Sequence, residues 1–266
     1  MAFRAAVAAA ALFAYGLAGA CCADTPILDW LSQHPQRVAA NQSYLDTDGP
    51  SFTRANSTVP QGMVLLEDRY TYTSPGMNNL PQMDLRFGVS SRLELRAEWG
   101  GVNLGPGLQS SQSLEVGFKY LVSKGKGLIP KSALMVELFT PTGYGPGTMR
   151  SVAPEVDYLY GWSLNDKLML ECSTGAIFGQ PSAPSVTQYY QSAMFSRTWR
   201  QQHLVTFAEA YSLFGNGSSP GAVLPSLDTG ALWRPGYNFQ IDWRVGMGLN
   251  RTAAPFFTGG GVSFRY

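Results

Sequence analysis

The chain has 266 residues, a net charge of +1, 14% charged and 12% aromatic side chains, 29 glycines and 17 prolines. So little charge beside so many aromatics excludes an intrinsically disordered chain. The balance of 19 basic against 18 acidic side chains excludes the basic stripe of a nucleic-acid binder. The length suits one large β domain, and the near-zero mean hydropathy is what strands with alternating apolar and polar faces average to.

Residues 1–20 predict a secretory signal: Arg4 is the positive start, residues 5–17 the apolar run, and Ala18-Gly19-Ala20 the small-residue cleavage site. The run falls short of the roughly 20 residues a membrane helix needs. Cleavage after Ala23 is an alternative to cleavage after Ala20. Cys21 and Cys22 leave lipid attachment open, although the residues ahead of Cys21 fit a lipoprotein box poorly. Cys172 lies far downstream in a strand pattern, so neither a disulfide framework nor a metal site is expected. Residues 24–59 lack alternation. They hold a short amphipathic stretch over 26–38 (Ile27, Leu28, Trp30, Leu31) and then turn-rich sequence with Asp46, Asp48, Gly49 and Pro50. Two readings stand for this segment, a periplasmic tail or a plug in or against a lumen.

From Met63 the side chains alternate with a period of two, and twelve strands are expected. The first, 63–73, turns Val64, Leu66, Tyr70 and Tyr72 one way and Glu67 and Arg69 the other. Asp68 then falls on the apolar face, which a bulge or a rim position would explain. The second and third, 80–89 and 93–99, form a hairpin across Ser90 and Ser91. Met83, Leu85, Phe87, Leu93, Leu95, Ala97 and Trp99 share its apolar face, and Asp84, Arg86, Glu94, Arg96 and Glu98 its polar one. Because opposed like charges destabilise a sheet, the expected register sets Arg86 against Glu94 and Asp84 against Arg96. The fourth (113–121), fifth (132–140), sixth (154–164) and seventh (168–178) point Glu115, Lys119, Glu137, Glu155, Asp157 and Glu171 to the polar face. Leu168, Leu170 and Cys172 share the apolar face of the seventh. The eighth (187–197) and ninth (203–214) are too mixed for their faces to be assigned. The tenth is 227–234.

The last two strands are the cleanest. Phe239, Ile241, Trp243, Val245, Met247 and Leu249 oppose Gln240, Asp242, Arg244, Gly246 and Gly248. Phe256 through Tyr266 repeat the pattern with Arg265 on the polar side. Such segments of about ten residues, edged by aromatics, are the signature of a transmembrane β-barrel with polar residues turned to the lumen. Past the leader no stretch is a helical span candidate, and a closed barrel is the only other backbone that satisfies its hydrogen bonds in lipid. The expected fold is therefore all-β: an antiparallel transmembrane β-barrel of about 12 strands over residues 60–266, with a non-barrel N-terminal segment. The connections agree. Short links (90–91, 165–166, 198–202, 235–237, with 124–130 the exception) alternate with Gly-, Pro- and Ser-rich ones (100–112, 141–153, 179–186, 215–225), as periplasmic turns alternate with outer loops.

The expected lumen is lined by Glu67, Arg69, Asp84, Arg86, Glu94, Arg96, Glu98, Glu115, Lys119, Glu137, Glu155, Asp157, Glu171, Gln240, Asp242, Arg244 and Arg265. Two readings remain open: a salt-bridged filler that closes a narrow barrel, or a polar pore whose charges select solutes. The mixed signs favour neither anions nor cations.

Several stretches in order resemble one family. Leu80-Pro81-Gln82, Leu85-Arg86-Phe87-Gly88-Val89 and Arg92-Leu93-Glu94-Leu95-Arg96 are similar to its signature hairpin. Lys119-Tyr120-Leu121, Pro141-Thr142-Gly143, Asn238-Phe239-Gln240-Ile241-Asp242 and Gly246-Met247-Gly248-Leu249-Asn250 continue the likeness into residues 259–266. These resemble the outer-membrane family named for a meta-pathway of phenol degradation, often described as transporters. The resemblance covers residues 63–266 and implies an outer-membrane barrel; more loosely, it implies uptake of small, including aromatic, compounds.

Catalytic motifs are absent. The two histidines, His34 and His203, have no serine or aspartate at suggestive spacing, and Gly145-Pro146-Gly147-Thr148 lacks the lysine of a phosphate loop. The expected function is a passive outer-membrane channel or transporter for small solutes, with no enzyme activity, cofactor or metal. The expected partners are the lipid bilayer, an unnamed solute and, through the C-terminal strand ending in Phe264 and Tyr266, the barrel assembly machinery. The alternatives are a closed structural or surface-interaction barrel and, more remotely, a lipid-acting barrel enzyme using His203.

Overall fold

The computed structural model describes residues 43–180, 186–199, 203–216 and 219–266. The expected signal, Cys21, Cys22, His34 and the 26–38 stretch lie outside the described residues. Fourteen strands are formed among those described: β1 (Val64–Thr73), β2 (Met77–Gly88), β3 (Leu93–Trp99), β4 (Val102–Gly105), β5 (Leu108–Ser111), β6 (Leu114–Lys126), β7 (Ile129–Phe139), β8 (Ala153–Ser163), β9 (Leu168–Gln180), β10 (Val186–Trp199), β11 (Leu204–Asn216), β12 (Ser219–Gly236), β13 (Phe239–Gly248) and β14 (Phe257–Arg265). All pairings are antiparallel, and β1 bonds both β2 and β14, so the sheet closes on itself. Leaving out β4 and β5, twelve strands form the barrel, the number the alternation predicts.

The closed sheet follows from the residue pattern. Along β8 the burial alternates strictly, with Glu155, Asp157 and Leu159 buried and Val156 and Tyr158 exposed. The exposed face is predominantly apolar and is edged by aromatics: Trp199, Trp233 and Tyr266 at the end with the short turns, and Tyr189, Phe214 and Phe256 at the other. This places greasy side chains outward and polar ones inward, the reverse of a soluble sandwich.

Several expectations about connections need correction. Residues 100–112 are not an irregular loop but contain the β4–β5 hairpin, which bonds the start of β2. It turns at Pro106-Gly107, where a proline with fixed φ precedes a glycine at φ +71°. The 124–130 link is a tight turn instead: β6 runs on to Lys126 and β7 begins at Ile129, with Gly125 and Gly127 at positive φ. Likewise β11 and β12 extend through most of the expected 215–225 loop. At about 3.3 Å per residue, the 18 residues of β12 reach far beyond the 9–11 that span a bilayer. Hydrogen bonding between paired backbones does not stop where the lipid does, so the hairpins project past it.

The expected β2–β3 register is overturned. Arg86 stands opposite Arg96, Asp84 opposite Glu98, and Gly88 opposite Glu94. The turn fixes this offset, since the Val89 and Ser90 amides both donate to the Leu93 carbonyl (2.9 and 3.1 Å) and the Ser90 hydroxyl accepts from the Arg92 and Leu93 amides. The like charges are separated diagonally. Arg86 makes a bidentate bond to Glu94 (2.9 and 3.1 Å), Arg96 bonds Asp84 (2.8 Å), and a carboxylate from outside the sheet sits between the two guanidiniums. Asp68 does face outward, opposite Met83 and Val262; the bulge in β1–β2 falls after it, between Arg69 and Thr71, and does not turn it inward.

Candidate functional site: the lumen and the segment within it

The inner wall of β1, β2, β3, β6, β7, β8, β9, β13 and β14 carries the charged and polar side chains that period-two alternation puts on one face. Glu67, Asp84, Arg86, Glu94, Arg96, Glu115, Lys119, Glu137, Glu155, Asp157, Glu171, Gln240, Asp242 and Arg265 are buried, while Arg69, Glu98 and Arg244 are partly so. What neutralises many of them comes from the segment ahead of the barrel. Residues 43–60 run in past the short-turn end, fold back near Phe52 and leave again. Ser57 donates to the Asp46 carboxylate across the neck of this loop. At the rim, the Ser43 carbonyl accepts from Arg265 (2.8 Å), and Tyr44 packs on Tyr237 and His203 with ring centroids 4.7 and 5.6 Å apart. His203 donates Nδ1–H to the Arg234 carbonyl (2.8 Å) and so offers Nε2 to the Tyr44 hydroxyl. These contacts tie the histidine to the rim.

Asp48 is the anchor. It is 2% exposed and receives Arg96 Nη1 (2.6 Å), Lys119 Nζ (2.9 Å), Arg86 Nη1 (3.3 Å) and the Ala55 amide (3.0 Å). Burial alone would raise its carboxyl, but the charges of Arg86, Lys119, Arg96 and Arg54 hold it well below the usual carboxylate range. Wall acids grip the backbone of the same loop. Glu67 accepts from the Asp48 and Gly49 amides (3.0 and 3.1 Å), Glu209 from the Phe52 and Thr53 amides (2.7 and 2.5 Å), and Glu94 from the Val59 amide (2.7 Å). Gln240 donates to Thr47 (2.8 Å). The close passage also needs a bare wall: a Cβ at Gly88 would overlap the Val59 and Pro60 carbonyls. The apolar contacts are a cluster of Leu45, Val59 and Leu65 and the Phe52 ring between the wall tyrosines Tyr190 and Tyr211. The loop is thus held mainly by charge-assisted hydrogen bonds, a class stronger than neutral ones but exchangeable for water.

Glu98, Glu115 and Glu137 bring carboxylate oxygens within 4.8 Å of one another, a grouping that could hold a cation. The Arg54 guanidinium already reaches in, bonding Glu137 and lying 3.4 Å from Glu98 and 3.8 Å from Asp157. An arginine of the loop thus pairs with two of these three carboxylates.

Two cavities flank the loop. One, of about 360 Å³, lies toward the short-turn end, between the loop and a greasy wall of Met194, Val205, Phe207 and Leu232, with Glu171 and Arg234 beside it. The other, of about 370 Å³, lies toward the long-loop end and is lined by Phe52, Arg54, Glu98, Glu115, Tyr190, Leu213 and Arg244.

Sequence reasoning missed Asp48, Phe52 and Arg54, because the loop carries no periodic signal. It also missed Tyr190, Glu209 and Tyr211. The inward faces of β10 and β11 hold Tyr190, Ser192, Met194, Val205, Phe207 and Glu209 and are nearly as apolar as the outward ones, so alternation there is invisible.

A family profile described as Putative MetA-pathway of phenol degradation matches residues 47–266. No curated protein sequence matches the chain. Among solved structures, the COG4313 outer membrane channel from Pseudomonas putida F1 superposes with a TM-score of 0.59 at 13% identity, covering 79% of this chain and 98% of that one. The KdgM porin, solved in complex with disordered oligogalacturonate, superposes with a TM-score of 0.53 at 11% identity, covering 75% and 98%. At these identities the likeness concerns the barrel fold.

Proposed function

The chain belongs to the family described as Putative MetA-pathway of phenol degradation, and on that premise we propose that it is a passive outer-membrane channel for small solutes, gated by residues 43–60. The family description and the apolar lining of the turn-side cavity favour small aromatic or hydrophobic solutes. In this reading residues 1–20 direct export, and the C-terminal strand ending in Phe264 and Tyr266 engages the assembly machinery. The observation that carries the proposal is a closed barrel whose lumen has open space on both sides of a loop held without a covalent bond.

The test is single-channel conductance in a planar bilayer, comparing the full chain with a variant lacking residues 43–59. The proposal expects rare, brief openings from the first and a stable open level from the second. Silence from both would refute it and favour the second reading, a closed structural barrel. The specific support for that reading is the buried ion network of Arg86, Arg96 and Lys119 with Asp48, Glu94 and Glu137. Lumenal charges that serve only to fill the barrel would form such a network too.

A further inference from the structure

Phe52, at the tip of the loop, sits in a slot made by two wall tyrosines. Its ring lies parallel to that of Tyr211, with centroids 4.4 Å apart and 3° between planes, and edge-on to that of Tyr190, at 5.5 Å and 90°. These are the stacked and T-shaped arrangements aromatic pairs prefer. The slot is built rather than incidental. The Tyr190 hydroxyl is fixed by Glu155 (2.5 Å) and Asp157, and its ring can lie against the wall only because residue 175 is glycine; a Cβ there would overlap both Asp157 and the Tyr190 ring. Beyond Phe52 the slot opens into the cavity of about 370 Å³ toward the long-loop end, where Ile177 and Leu213 add apolar lining.

We propose that this slot is a binding subsite for a single neutral aromatic ring, and that Phe52 is its built-in competitor, withdrawn when the loop moves. The ring rather than an aliphatic chain is specified by one parallel and one perpendicular wall. Neutrality is specified by the carboxylates around it, Glu155, Asp157 and Glu209, which make burial of an aromatic carboxylate costly, while the two cations of the cavity are already taken, Arg54 by Glu137, Glu98 and Asp157 and Arg244 by Asp228. Glu209 now accepts the Phe52 and Thr53 amides and the Thr53 hydroxyl, and once these leave it can accept a hydroxyl carried by the ring. The subsite deepens the channel reading and rests on it for access to the lumen.

The test uses full-length protein folded in detergent micelles and 19F NMR titration with 4-fluorophenol and 4-fluorobenzoate. Phe52→Ala should bind 4-fluorophenol at least tenfold more tightly than the unmodified chain or Phe52→Leu, and should gain nothing for 4-fluorobenzoate. Adding Tyr211→Ala should abolish the gain. Equal affinity in Phe52→Ala and the unmodified chain overturns the proposal, as does a gain that survives Tyr211→Ala, which would put the probe in the micelle or elsewhere on the barrel. Should Phe52→Ala fail to fold, the unmodified chain carries the test: 4-fluorophenol raised to its solubility limit must shift the Tyr211 ring resonances, and no shift overturns it. Conductance separates the two claims, since ring binding without current removes the channel reading and current without ring binding removes the subsite.

Discussion

Replacing Asp48 by alanine should release the lumenal loop. The carboxylate serves three cations at 2.6 to 3.3 Å and the Ala55 amide, and breaking a buried ion pair by removing one partner costs about 3–5 kcal/mol. The lower end applies, because Glu67 and Glu94 still serve Arg86, and Asp84, Glu94 and Glu137 still serve Arg96. Lys119 keeps the Ala55 carbonyl only while the loop is in place. At about 1.4 kcal/mol per decade, a loss near 3 kcal/mol raises the undocked population roughly hundredfold. In a bilayer the Asp48→Ala open probability should rise by that factor at unchanged single-channel conductance, since the pore wall is untouched. An unchanged open probability, in a variant that keeps its folded heat-modifiable mobility on gels, would refute the reasoning.

Further outcomes follow from the same geometry. The Asp48 carboxyl is depressed when docked, so its contribution to docking is full above the ordinary carboxylate pKa and is lost only as pH falls through the lower docked value; the difference in open probability between the unmodified chain and Asp48→Asn should stay constant from pH 8 to 5 and shrink below that, and a difference vanishing near neutrality would contradict it. Arg96 bonds four carboxylates within 3.0 Å, and Arg96→Ala should cost about 3–5 kcal/mol, read as a lowered urea midpoint of barrel unfolding. In a background lacking other cysteines, Leu85→Cys with Ala97→Cys should cross-link, as the observed register places them opposite, whereas Leu85→Cys with Leu95→Cys should not. Gly175→Val should displace Tyr190 at about 1–3 kcal/mol, seen as a smaller folded fraction after refolding.

The barrel was legible where its two faces differ in chemistry. Trp243 against Asp242, or Tyr158 against Asp157, states an inside and an outside at every step, and such steps over most strands suffice for closure and strand number. Legibility failed where the lumen itself is apolar. Met194, Val205 and Phe207 face inward for the sake of the turn-side cavity, and a strand greasy on both faces shows no period. The β2–β3 register was misread because pairwise charge rules consider two strands, whereas Arg86 and Arg96 are neutralised by Glu67, Glu137 and Asp48 from two further strands and the loop. Residues 43–60 read as turn-rich sequence with two placements, a periplasmic tail or a plug, and nothing local chose between them. Their position is fixed by partners up to 222 residues away, such as Arg265 for the Ser43 carbonyl, and no local pattern encodes that.

The account turns on whether the loop blocks the lumen and can leave it. Thr47 and Gln240 touch through a 2.8 Å hydrogen bond, so cysteines at both positions, placed in Asp48→Ala with the other cysteines replaced by serine and joined by a bifunctional methanethiosulfonate reagent that replaces the reach of the glutamine side chain, would tether the loop to the wall. Single-channel recording before and after reduction of the cross-link should show a silent channel while the tether is in place and frequent full openings once it is reduced. Identical currents in the two states would contradict the claim that residues 43–60 are the gate.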